Sequence, residues 1–210
     1  MTEFYFVRHG KTENNHLQRF NGSNVESPLT PAGIEAIKQT GLALANVSFD
    51  AAFTSPQPRA YQTAELLRAP NVSLQANALQ VAPAFKEINF GAWDGKSITE
   101  TQSDPQFENY FHHPERFDPT KIQAESYVDL KQRGLQGIKK IQQQYPTGNV
   151  LIVSHGVLLL TLLNTLVGVP ISEIRKQKIV PNASLTVLSQ QPDGTFLVKC
   201  WGKTFASESD

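Results

Sequence analysis

Apolar residues in this chain gather in short runs that stop abruptly, with periodic amphipathic stretches between them. Phe4–Val7, Ala51–Thr54, Val81–Phe85, Val150–Ser154, Ser184–Leu188 and Thr195–Cys200 read as strands. Thr30-Pro31 pairs a capping side chain with proline at the first helical position. Ile34, Ile37, Leu42 and Ala45 then mark one helical face out to about Asn46. A second helix is expected from Pro56 or Arg59 through Tyr61, Ala64 and Leu67. A third is expected from about Glu125 to Gln144, with Val128, Leu135, Ile138 and Ile141 inward. A fourth follows His155 directly and stops at Gly168, with Pro170 beyond. Strand and helix alternate. That pattern predicts an α/β fold, a three-layer α/β/α sandwich with a mostly parallel six-stranded sheet and helices on both faces. Pro192-Asp193-Gly194 is a turn signal that joins the last two strands into a hairpin and makes the edge strand antiparallel.

The chain reads as a single domain over residues 1–210, without repeats or linkers. Residues 96–124 lack clean periodicity and are rich in aromatics, histidine, proline and glutamine, which predicts a lid-like insertion. Lys203 to Asp210 is polar and is expected to be loose.

Composition narrows the function classes. Lys plus Arg and Asp plus Glu both number 19, so the formal net charge is zero, and neither nucleic acid nor an anionic membrane surface is indicated as a partner. The single cysteine, Cys200, rules out an internal disulfide and fits a reducing compartment. The apolar stretch from Val157 to Val167 is far short of the ~20 residues that span a bilayer. No secretory signal precedes the first strand, and a cytoplasmic protein is expected. Oligomeric state is left open by the sequence.

Two apolar runs end in matching ways: Phe4 to Val7 is followed by Arg8-His9-Gly10, and Val150 to Ser154 by His155-Gly156. In α/β proteins the carboxyl edge of the sheet is where ligands bind. Two imidazoles delivered there, with Arg8 beside the first, suggest a pocket for an anion and a nucleophile to attack it. Arg59 opens a helix after Thr54-Ser55-Pro56-Gln57-Pro58, and helix amino termini attract anions. Glu87 follows another strand candidate among apolar and aromatic residues, a setting that suits a general acid. Each feature alone has a plainer reading: a capping histidine, a solvated arginine, a glutamate paired with Lys86.

Taken in order, the segments resemble the histidine phosphatase superfamily, which includes cofactor-dependent phosphoglycerate mutases. Arg8-His9-Gly10 with Asn15 fits the opening motif, followed by Arg19-Phe20-Asn21-Gly22 and Ser27 to Gly33. Thr54-Ser55-Pro56 with Arg59-Ala60 and Gln62-Thr63-Ala64 fits the second arginine motif, and Glu87 with Phe90-Gly91 and Trp93-Asp94-Gly95 fits the acid motif. Glu125-Ser126-Tyr127 leading to Arg133, then Ser154-His155-Gly156 and Asn182-Ala183-Ser184, complete the match. The resemblance implies that His9 attacks phosphorus. It implies that Arg8, Arg59, His155 and Asn15 bind the phosphoryl oxygens, and that Glu87 protonates the leaving alcohol and then deprotonates water. Asn21 and Gly22 would lie along the substrate. Lys11, Asn14 and Val157 depart from the commonest family pattern, and all three are expected at the entrance.

Phosphoryl transfer needs positioning and positive potential above all. Two arginines and a protonated imidazole would supply these without metal or other cofactor. No carboxylate cluster of the kind magnesium uses is visible, and the adjacent His112 and His113 are poor joint ligands, better read as a pair on a loop over the pocket. The expected activity is hydrolysis of a small phosphorylated metabolite through phosphohistidine. The alternatives are a phosphoglycerate mutase and a non-catalytic phosphate-recognising module. Mutases of the family carry a longer insertion of positive and proline-rich character, whereas the charges here are mixed: Glu108, Glu115, Arg116, Asp118 and Lys121.

Overall fold

Phe4 and Phe6 point to one side of the first strand, Tyr5 and Val7 to the other, and each side meets its own layer of helices. The computed structural model describes residues 1–205. In chain order the elements are β1 (Thr2–Arg8), α1 (Glu13–His16), α2 (Pro31–Leu44), β2 (Ala51–Thr54), α3 (Pro58–Arg68), α4 (Val72–Ala76) and β3 (Leu79–Val81). Then come α5 (Ile98–Thr101), α6 (Gln106–His112), α7 (Tyr127–Gln144), β4 (Gly148–Ser154), α8 (Gly156–Leu166), β5 (Leu185–Gln190) and β6 (Phe196–Lys203). The sheet order is β3-β2-β4-β1-β5-β6. The first four strands in that order pair in parallel, and β5 runs antiparallel to both β1 and β6. The reversed strand therefore sits one place in from the edge, and β6 closes the hairpin outside it.

Helices α2, α3 and α4 pack with Val7, Ala52, Leu151 and Val153 on one face. Helices α7 and α8 pack with Phe4, Phe6, Val150 and Ile152 on the other. Strand β4 contributes to both cores because it is central and covered on both sides.

Several local expectations need correction. Val81–Phe85 is not one strand: β3 ends at Val81, and Pro83–Phe85 forms a 3₁₀ turn. Pro83 lacks the N–H a ladder needs, and its fixed φ suits the first position of the turn. Leu42 and Val128 face solvent. The buried stripe of α2 runs through Ile37, Thr40, Gly41 and Leu44, and that of α7 through Tyr127, Leu130, Gly134, Ile138 and Ile141. In both helices small residues let neighbouring elements approach, so the contact face is rotated from the one that hydrophobicity marks. Of the stretch expected to be loose, Lys203 is the last residue of β6 and Phe205 packs against the core on the α2–α4 side. Residues 206–210 lie outside the described residues.

Residues 96–124 build α5, α6 and two 3₁₀ turns around an aromatic cluster. Tyr110 meets Trp93 edge-on at 5.7 Å and Phe117 at 5.5 Å, and Trp93 Nε1 donates to Asp104 at 3.1 Å. Gly91 joins this segment to the acid motif at φ +56°, where an added Cβ would overlap the carbonyl oxygen of Ile122. Gly91→Ala is expected to lower stability by about 2 kcal/mol or more. That corresponds to a thermal midpoint lowered by roughly 4–8 °C. An unchanged melting curve would contradict this tight docking.

Candidate active site

Strands β1 and β4 are adjacent, parallel and in register, with Arg8 opposite Ser154. The next residue of each, His9 and His155, must therefore emerge side by side at the carboxyl edge. Their ring centroids are 5.1 Å apart and the rings are inclined at 60°. The His9 amide donates to the Ser154 carbonyl at 2.9 Å, which ties the two strand ends together.

His9 is buried, and its Nδ1 lies 2.7 Å from the Gly10 carbonyl oxygen. A carbonyl can only accept, so Nδ1 carries the hydrogen and Nε2 holds the lone pair. Burial, then the charges of Arg59 and Arg8, keep His9 well below the ordinary imidazole range. His155 is fully buried, with Nε2 2.7 Å from Ser55 Oγ. Burial is again the largest influence, followed by Arg59, His9 and Arg8, and its pKa also lies well below the usual value. The same guanidinium groups that attract an anion repel a proton, which works against the protonated second imidazole expected from sequence.

Glu87 reaches the amino terminus of α8. Its Oε2 accepts from the Val157 amide at 2.9 Å, and its Oε1 from the amides of Leu158 and Ile88, also at 2.9 Å. The helix has no side-chain cap at His155, so this carboxylate satisfies amides that would otherwise lack partners. It is not paired with Lys86. Gln57, held between two prolines, accepts from the Glu87 amide at 2.8 Å and donates to the Gly22 carbonyl at 3.0 Å. Arg133 braces the acid motif from behind, donating to the carbonyls of Ala84, Lys86 and Glu87 while pairing with Glu125.

A cavity of about 150 Å³ opens over these groups. Arg8, His9, Asn15, Asn21 and Glu87 line its polar side, and Val157 is also in its wall. Phe20, Phe90, Tyr110 and Phe111 form the apolar side, with Arg19 and Arg175 contributing further charge. Arg8 donates through Nη1 to the Val180 carbonyl at 2.8 Å, and its buried Nε has no protein partner. Burial lowers its pKa to about 10, against the opposing effect of Glu87, so it is charged at neutral pH. Asn15 Oδ1 accepts from Asn182 Nδ2, which also donates to the His9 carbonyl at 3.0 Å.

Other residues singled out from sequence stand differently. Arg59 and His155 are beside His9 but do not line the cavity. The Arg59 Nη atoms donate to the carbonyls of Asn21, Gly22 and Val25. Gly22 is fully committed: its amide donates to Asp94 Oδ1 and its carbonyl accepts from Gln57 and Arg59. It therefore supports the cavity rather than lining it. Lys11, Asn14, His112 and His113 are not in the cavity wall either; His113 lies 4.0 Å from Glu115. Among the described residues no cluster of three metal-ligating side chains occurs, and no helix is long and apolar enough to cross a membrane. Arg175 was not foreseen. It sits in a polar stretch, Ile171 to Lys176, that reads as ordinary surface, and nothing in that stretch signals a pocket residue.

The family model described as "Histidine phosphatase superfamily (branch 1)" matches residues 4–203. The chain belongs to this superfamily. It is 31% identical over 168 residues to "Uncharacterized phosphatase PhoE" of Bacillus subtilis, covering 80% of this chain and 79% of that one. The solved structure of Bacillus stearothermophilus YhfR superposes with a TM-score of 0.86 at 31% identity, covering 95% of this chain and 96% of the other. A Proteus mirabilis protein named "Probable phosphoglycerate mutase GpmB" is 27% identical over 203 residues, 96% of this chain and 90% of that one. This member of the superfamily thus has proteins named as phosphatases and as mutases among its similar sequences.

Proposed function

We propose that this protein hydrolyses a small organic phosphomonoester without metal or other cofactor, through a phosphohistidine on His9. The observation that carries the reading is the Nδ1 bond of His9 to Gly10, which leaves Nε2 as a neutral nucleophile in a cavity shared with Arg8 and Glu87. In the first step Nε2 bonds to phosphorus and the ester P–O bond breaks. Glu87 gives its proton to the departing alkoxide. In the second step water attacks phosphorus, Glu87 takes the water proton, and the N–P bond breaks to release orthophosphate. Arg8 and Asn15 stabilise the equatorial oxygens from the cavity wall, while His155 and Arg59 support the site from behind it, Arg59 adding positive potential and holding the Asn21–Val25 loop. Residues 96–124 act as a wall over the cavity, with Tyr110 and Phe111 as its apolar surface.

Similarity to a mutase favours one second reading, transfer between hydroxyls of a phosphoglycerate. The two are separated by supplying 3-phosphoglycerate with a trace of 2,3-bisphosphoglycerate. Orthophosphate is expected to appear faster than 2-phosphoglycerate. The opposite order would make the protein a mutase, and no turnover of any phosphomonoester, aryl phosphates included, would make it a binding module.

A further inference from the structure

Arg175 and Arg19 are the charged groups in the cavity wall that the chemistry above does not use. Arg175 Nε donates to Tyr127 Oη at 2.6 Å, and its guanidinium carbon stands 4.1 Å from the centre of the Tyr110 ring. Phe111 and Tyr127 lie 5.4 Å from the same carbon. One face and one nitrogen are thereby fixed by rings that are themselves part of a packed aromatic cluster. The charge is not answered: among the described residues no carboxylate lies within 4.0 Å of it, and Nη2 is buried without a partner. Arg19 differs, since it donates to the Gly95 carbonyl at 2.7 Å and stands 3.9 Å from Glu100.

The cavity wall carries the guanidinium groups of Arg8, Arg19 and Arg175 against the single carboxylate of Glu87. Arg8 adjoins His9 in sequence and serves the transferred phosphoryl group. Arg175 comes from the turn after α8, with the aromatic platform beneath it. A guanidinium held on one face and at Nε keeps its outer edge for an in-plane anion, the geometry that suits carboxylate or phosphate. The small cavity volume keeps any second group within a few bonds of the ester.

We infer that Arg175 is a specificity-determining residue that selects phosphomonoesters bearing a second anionic group, carboxylate or phosphate, a short distance from the ester. This rests on the hydrolase reading for its kinetics but not for its binding. The test compares 3-phosphoglycerate, glycerol 1,3-bisphosphate and glycerol 3-phosphate, which carry a carboxylate, a second phosphate and neither. The wild-type protein is expected to favour at least one of the first two over glycerol 3-phosphate by about 10-fold or more in kcat/KM, mainly through KM. In Arg175→Met that ratio should collapse toward one, and Arg175→Lys, which keeps the charge and loses the fork, should restore part of it. Equilibrium binding of the same three compounds to His9→Ala reads the preference without turnover. Discrimination in binding without hydrolysis would retain the subsite and overturn the hydrolase reading. Hydrolysis of all three with equal kcat/KM by the wild-type protein would overturn the subsite and retain the hydrolase, whether or not Arg175→Met folds. A ratio unchanged in a folded Arg175→Met would also overturn it.

Discussion

His9→Ala is expected to lower kcat by at least about 10⁴-fold with every phosphomonoester the wild-type protein turns over. The side chain is buried against Gly10, and the neighbouring imidazole of His155 has Nε2 engaged with Ser55, so no second nucleophile is poised to replace it. Acid-stable and acid-labile phosphoryl groups separate the mechanism from its rivals. Wild-type protein quenched with alkali during turnover of a radiolabelled substrate should carry label that acid removes, and His9→Ala should carry none. Label retained by His9→Ala would place the nucleophile elsewhere. Glu87→Gln supplies the companion result. Its loss should be about 100-fold for an alkyl phosphate and much smaller for a nitrophenyl phosphate, whose leaving group departs without a proton. Equal losses on both would remove Glu87 as the proton donor and leave it as the cap of α8.

The second large effect is on stability at acid pH. His9 and His155 are both buried, and both have folded-state values well below 6.5. Below about pH 6.5 the unfolded chain takes up protons at these positions and the folded chain does not. Stability that is fully present above that pH is therefore lost as the pH falls, by up to ~1.4 kcal/mol per pH unit for each histidine. Asp94 acts in the opposite sense. Burial raises its pKa to about 6, so between about pH 6 and the carboxylate's ordinary range the folded state gains protons there, which offsets part of the loss. Urea midpoints at pH 7, 6.2 and 5 should therefore fall more steeply over the second interval, where two histidines resist protonation and a single carboxyl offsets only one of them. A His9→Asn variant should show a shallower fall, since one of the two excluded protons is gone. A slope unaltered by that substitution would mean that His9 titrates normally in the folded protein.

Much of the architecture was legible along the chain because burial leaves a period in the sequence. The runs that became β1, β2 and β4 are apolar on both faces, as central strands covered on both sides must be. Thr30-Pro31 and Pro192-Asp193-Gly194 marked a helix start and a hairpin turn through local backbone chemistry alone. The misplaced features share a different cause. Leu42 and Val128 are hydrophobic yet exposed, since the face a helix buries is set by the neighbours it meets, and glycines at 41, 134 and 137 permit those meetings.

The sequence by itself determined which chemical groups are present and that two histidines must leave the ends of strands, since both facts follow from residue identity and local periodicity. Only the tertiary structure decided where the long polar side chains point. Arg59 turned to main-chain carbonyls, Glu87 to the amides of α8, and Arg175 into the cavity. A flexible side chain several bonds long can satisfy its charge in many directions. The one it takes is settled by buried donors and acceptors that come from distant parts of the chain, and no local pattern records them.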